Sequence, residues 1–199
     1  MSLPTVTAAM ICHNDRMQAR RKYYEMSGWT RRPDELIVLS SVEDFHTFVS
    51  HTRTDARIPV PTVHVRRPDM DDKGYDKRAH ALRIAKSDFI VFVNYDDIHD
   101  LHFLERMMAE VTEAVKIVHC RVGGKYGYRF GDQFVPFNSG AENHIIRVSY
   151  ALERGGYEPC IERHRQHAVA ADAVWLNTMK DGCQPDEIKF VDEVLIIML

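Results

Sequence analysis

The apolar positions in the first half of the chain fall into short unbroken runs, and the segments between them carry helical spacing or none. "TVTAAMI", "ELIVLS", "TVHV" and "FIVFVNYDD" have strand length and almost no interior polar residue. Strands of that kind are covered on both faces, as in a sheet with parallel strands, because a sheet wetted on one side would alternate. Between them, "DRMQARRKYYEMSGW" has helical spacing and stops near Gly28, and "SVEDFHTFVSH" predicts a helix with a cap at Ser41. "YDKRAHALRIAKSD" predicts a third helix, with Ala79, Leu82, Ile84 and Ala85 on its buried face. "TRTDARIPVP" and "RRPDMDDKG" lack periodicity and read as loops.

The resulting β-α-β-α-β-α-β order predicts a three-layer α/β/α sandwich with a mostly parallel central sheet. Ligands in such folds gather at the carboxyl ends of the strands. Three of those ends, "ICHND", "LSSVED" and "VNYDD", are polar and should meet at one crevice.

The second half changes character. A helix over "LHFLERMMAEV" precedes a β-rich stretch, "VKIVHCRV" and "GYRFGDQFVPF", split by the turn "GGKYG". "HIIRVSYALERGGY" predicts a strand running into a short helix that ends on two glycines. A last helix, "ADAVWLNTMKDG", leads to the closing strand "IKFVDEVLIIML". With no repeat or interdomain linker, residues 1–199 read as one domain.

Composition narrows the class. The 199 residues are 45% hydrophobic and carry a formal net charge of -3, the balance of an ordinary globular surface and not of a dedicated nucleic-acid binder. No apolar stretch approaches the ~20 residues of a membrane span, and no basic segment precedes a signal-like core, so the expected location is the cytoplasm. Cys12, Cys120, Cys160 and Cys183 are scattered and read as free thiols. Cys160, His164 and His167, with Cys183 further on, match no standard zinc spacing.

The main chemical feature is the pair Asp96 and Asp97, at the end of the apolar run "FIVFV". Adjacent carboxylates in an apolar setting are destabilised by desolvation and mutual repulsion, so they need water or a cation. A hard divalent ion takes one or two carboxylates plus substrate phosphates. Asp and Asn also serve turns through local backbone hydrogen bonds, so the pair alone leaves a plain turn open.

The order of motifs extends this reading. "ICHND", "VLSSVED", "DDKGYDKRAHALRIAKSDFIVFVNYDDIHDLHFLERM", "IIRVSYALERGGY" and "AADAVWLNTMKDG" followed by "FVDEVLIIML" resemble, over nearly the whole chain, the family 2 glycosyltransferases of GT-A (nucleotide-diphospho-sugar transferase) fold. The resemblance implies Mn²⁺ or Mg²⁺ on Asp96 and Asp97, with Asn94 where many members carry the first Asp of a D-x-D motif. It places His13, with Asn14 beside it, near the nucleobase, and Ser41 where members often have an Asp that hydrogen-bonds uracil. Lys77 and Arg78 fall where the family places a basic residue for the nucleotide or its phosphates. Asn94 and Asp96 join the same nucleotide-binding set. Asp172 matches the carboxylate that acts as general base in inverting members, with Ala171 where a Glu is usual.

Trp175 suits core packing first and the lining of an acceptor pocket second, and the roles of Asp71 and Asp72 stay unassigned. The resemblance makes 1–100 the nucleotide-binding half of the domain and 101–199 the acceptor-binding half. The resemblance implies a nucleotide-sugar donor and leaves the acceptor open among glycan, lipid-linked glycan, protein and modified nucleobase. The apolar end "VLIIML" suits packing in a homodimer. Two other readings stand beside transfer: a catalytically silent nucleotide-sugar-binding module, and a nucleotidyltransferase of similar layout, although "ICHNDRM" lacks the Gly-rich loop usual there.

Overall fold

The computed structural model describes residues 3–12, 15–41, 60–68, 74–124, 129–130, 140–167 and 171–198. Its elements are β1 (Val6–Cys12), α1 (Arg16–Ser27), β2 (Glu35–Ser40), β3 (Thr62–Arg66), α2 (Tyr75–Ile84), β4 (Phe89–Asn94), β5 (Ile98–His99) and α3 (Phe103–Ala109). There follow β6 (Ile117–Gly124), β7 (Arg129–Phe130), β8 (His144–Arg147), α4 (Val148–Glu153), α5 (Glu158–His167), α6 (Ala171–Asp181) and β9 (Ile188–Met198). His13, Asn14, Asp71, Asp72 and the helix expected over "SVEDFHTFVSH" lie outside the described residues.

The strands form one mixed sheet in the order β3-β2-β1-β4-β8-β6-β9-β5, with β7 beside β6. β1, β2, β3 and β4 are parallel, and their register aligns their carboxyl ends: Cys12 pairs with Ser40, Ile11 with Asn94, and Ser40 with Arg66. The second half brings in antiparallel pairings, β4 with β8, β8 with β6 and β9 with β5, while β6 and β9 run parallel. The three polar strand ends of the sequence therefore sit along one edge, up to the limits of the described residues.

The unbroken apolar runs have a direct cause. Alternate residues of β1 and β4, Ala8, Met10, Val91 and Val93, pack beneath α1 and α3 with Tyr23, Met26, Phe103 and Met107. Their neighbours Ala9, Ile11, Ile90 and Phe92 face the other layer with Leu82 of α2, Tyr157, Ile161 of α5 and Trp175 of α6. Both faces are covered, so polarity at either alternate position would leave a buried group to satisfy. Trp175 is fully buried, as read from the sequence.

Two helices differ from expectation. In α2, Ala79 and Leu82 are buried but Ile84 is only half-buried, while Lys77 and Arg78 are 2% and 5% exposed. Their charged ends reach the crevice, so helix-face arithmetic based on apolar residues alone misplaces them. The stretch "CIERHRQH", which shows no helical signal in the sequence, lies in α5, where Cys160 and Ile161 are buried and Arg163 and Arg165 face water. His164 in this helix meets the Tyr75 ring edge-on at 5.1 Å. Among the described residues no group of three or more His, Cys, Asp or Glu side chains could hold a metal, and no helix is long and apolar enough to cross a membrane.

The antiparallel half encloses a histidine pair. His119 of β6 and His144 of β8 are register partners whose rings stack at 5.6 Å, and His144 Nδ1–H donates to the Gly140 carbonyl at 2.8 Å. Burial pulls His144 down to about 3 and His119 to about 4. An unfolded chain binds protons on these rings near the ordinary value of about 6.5, so acidification from there favours unfolding until the folded-state values are passed. Buried carboxyls at the crevice, described below, have raised values and act in the opposite sense over part of that range. A His144→Gln chain isolates one contribution. Its unfolding free energy should lose about one proton of pH dependence between pH 6.5 and 4, roughly 1.4 kcal/mol per pH unit, in urea titrations compared with the parent.

Candidate functional site

The crevice is organised by what happens where β4 ends. Asn94 is the last strand residue, and the chain bends through Tyr95, Asp96 and Asp97 before β5. The Asn94 amide is used in both directions. Its Oδ1 accepts from Arg78 Nη2 at 2.9 Å, and its Nδ2 donates to Asp97 Oδ2 at 3.1 Å. A carboxylate at 94 would pair with Arg78 but could only repel an ionised Asp97; an amide serves both neighbours. This is a physical reason for Asn at that position.

The acid pair divides. Asp96 is exposed, whereas Asp97 is 6% exposed, and its carboxyl is pushed up to about 6, chiefly by burial and further by Asp96, against the Asn94 hydrogen bond and the charges of Lys22 and Arg78. Beside the bend lies a cleft of about 110 Å³ reached by Asp96, Gln18, Arg21 and Glu25. Asp96 and Asp97 make an all-oxygen donor pair, and burial and the neighbouring Asp96 oppose ionisation of Asp97; a hard divalent cation fits such a pair and would reverse both effects on Asp97.

α2 supplies two cations from below. The Lys77 ammonium donates to the Cys12 carbonyl at 2.7 Å, closing the end of β1. Arg78 is held within an acidic and aromatic enclosure: burial opposes its charge, yet Asp172 foremost, then Tyr157 and Glu142, outweigh it and raise its value further. Its guanidinium also lies 5.8 Å over the Tyr75 ring. Asp172, in the first turn of α6, accepts a hydrogen bond from the Tyr157 hydroxyl. Tyr157 enters the core because Gly155 and Gly156 adopt φ of 91° and 66°, a left-handed turn disfavoured for other residues. There it stacks on Trp175 at 4.4 Å, a contact worth about 0.5–1.5 kcal/mol beyond burial. Burial above all, then Asp172, raise the phenol well above its usual range, so it stays a donor.

Of the residues singled out from sequence, Arg78, Asn94, Asp96, Asp97 and Asp172 are thus brought to one place, with Lys77 alongside. Ser41 follows directly on β2 at the same edge of the sheet. Three residues escaped sequence reading. Tyr157 orients Asp172, and Lys22 lies buried against the acid-bearing bend. Glu142, 3% exposed, is pushed up to about 7 by burial and then by Asp172, against its own backbone N–H and Arg78. Only an isolated acid just before an apolar strand marked Glu142 in "GAENHII". Its carboxylate fills the space over Gly140, leaving no room there for a side chain.

The sheet order and the carboxyl-end crevice define an α/β protein with the GT-A-like fold of glycosyltransferases. Neither family models nor curated proteins match the sequence. Among solved structures, S. aureus TarS 1-349 aligns with a TM-score of 0.74 at 13% identity, over 98% of this chain and 60% of that one. The same TarS segment is known in complex with UDP and with UDP-GlcNAc. The mannosyltransferase PcManGT from Pyrobaculum calidifontis, in complex with GDP-Man and Mn2+, aligns with a TM-score of 0.68 at 15% identity, over 98% of this chain and 57% of that one. The chain therefore spans less than two thirds of these neighbours, and at such identities the likeness establishes the fold.

Proposed function

We propose that this chain is a family 2 glycosyltransferase that moves a sugar from a nucleoside-diphosphate sugar to an acceptor hydroxyl with inversion. The observation that carries the reading is the hydrogen-bonded line from Arg78 through Asn94 to Asp97 at the strand ends, with Asp172 facing the same guanidinium. Complexes of the structural neighbours with UDP, UDP-GlcNAc and GDP-Man with Mn2+ support a nucleotide-sugar donor and a metal.

In this reading Asp96 and Asp97 hold Mn²⁺ or Mg²⁺, which when bound supplies Lewis-acid stabilisation of the diphosphate leaving group. Ser41, His13 and Asn14 take the role of binding the nucleoside, with Lys77 closing the end of β1. Arg78 balances the buried acids and fixes Asn94. Asp172 accepts the proton of the acceptor hydroxyl as its oxygen attacks the anomeric carbon from the face opposite the departing diphosphate. The Tyr157 hydroxyl holds one carboxylate oxygen of Asp172, leaving the other for that proton. A nucleoside diphosphate should therefore bind in a Mn²⁺-dependent manner, and thermal shift against UDP and GDP with and without Mn²⁺ tests it.

A further inference from the structure

Lys22 is the least expected charge in the interior. It sits in α1, 1% exposed, in the basic run "RRKYY", where a solvated helix face would be anticipated. Its ammonium donates to the backbone carbonyl of Asp97 and to Glu25 Oε1 at 2.8 Å, and it lies 3.2 Å from His99 Nδ1. Glu25 Oε1 also accepts from the His99 backbone N–H at 2.9 Å, so the same carboxylate holds the start of β5. The His99 ring is wedged between Trp29, at 5.5 Å, and Phe103, at 4.8 Å. The lysine is thereby anchored on a rigid aromatic floor.

Asp97 is consequently held at both ends. Lys22 takes its carbonyl from the α1 side, and Asn94, itself fixed by Arg78, takes its carboxylate from the α2 side. Two like charges at Asp96 and Asp97 tend to push a free bend open; a buried cation on the main chain just after them opposes that without occupying either carboxylate. We infer that Lys22 is a positioning residue that presets the Tyr95–Asp97 bend for a divalent cation before any ligand arrives. The inference rests on the metal-dependent transfer proposed above.

The test is Lys22→Met in the full chain, with two readouts. Mn²⁺ affinity, measured by electron paramagnetic resonance with UDP present, should fall about 10–100-fold, the range seen when residues supporting metal ligands are removed. Backbone ¹⁵N order parameters of residues 95–98 in the metal-free protein should be near 0.85 in the parent and drop toward about 0.6 in the variant. A folded variant with unchanged affinity and unchanged order overturns the inference. If Lys22→Met does not fold, the parent decides alone: a bend already ordered without metal supports presetting, and a disordered one overturns it. If the parent binds no Mn²⁺, the function reading fails, and the order parameters still judge Lys22.

Discussion

Asp97→Asn is expected to remove metal-dependent sugar transfer, by about 10³-fold or more, while making the protein more stable. The loss follows from the role given to the carboxylate: a bound divalent ion supplies several kcal/mol of charge stabilisation to the leaving diphosphate, and a neutral amide is a poor replacement for an anionic ligand. The gain follows from the environment of the same group. Burial and then Asp96 push the Asp97 carboxyl up to about 6, so its folded-state stability contribution is present below the unfolded value near 4 and is lost as pH rises through 6. At about pH 8 and without metal, the ionised side chain costs stability that Asn recovers, on the order of 1–2 kcal/mol. The Asn side chain can still accept from Asn94. Asp96→Ala supplies the contrast, since Asp96 is exposed. It should share the loss of activity with a smaller gain in stability than Asp97→Asn, because it relieves the repulsion on Asp97 but not the burial of its charge. Urea unfolding at pH 8 beside donor turnover reads both quantities, and a destabilised Asp97→Asn would refute the electrostatic account of the bend.

Asp172→Asn is expected to lower kcat by about 10²–10⁴, the usual contribution of a positioned general base. The substitution keeps shape and retains an oxygen for the Tyr157 hydroxyl, so the aromatic cluster with Trp175 should survive. Arg78 loses one acidic neighbour but keeps Glu142 and its hydrogen bond to Asn94. Affinity for a nucleoside diphosphate with Mn²⁺ should therefore stay within a few-fold of the parent. A separation of this kind, kcat lost and nucleotide binding kept, distinguishes a base from a residue that merely shapes the pocket. Equal losses in both would assign Asp172 to architecture.

The parts of the fold legible in the sequence were those with local causes. "FIVFV" and "ELIVLS" announce two-sided burial because each alternate residue meets a different helical layer, and Gly155-Gly156 announces a left-handed turn. The order of pairing in the second half was not legible, because β6 meets both β8 and β9 across long stretches of intervening chain. α5 hid because its exposed face is nearly all charged and only a narrow stripe, with Cys160 and Ile161, is buried.

The site divides along the same line. Asp96, Asp97, Asn94 and Asp172 stood out through motif order, and Arg78 through its place before the acidic strand. Glu142, Tyr157 and Lys22 did not, since their importance lies in burial beside partners 15 to 77 positions away in the chain. A charged residue gives no local sign that it will be taken inside to hold another.

In the proposed function the acid pair and the crevice above it bind a nucleoside diphosphate through a divalent metal. Thermal unfolding of the full chain with UDP and with GDP, each with and without Mn²⁺, tests this most directly. Saturation at about a hundred times Kd should add roughly 2.7 kcal/mol of stability, seen as a rise in Tm of several degrees with nucleotide and Mn²⁺ together. That rise should vanish in Asp97→Asn. A shift with nucleotide that is unaffected by Mn²⁺ and survives Asp97→Asn, or none under any combination, would contradict the account.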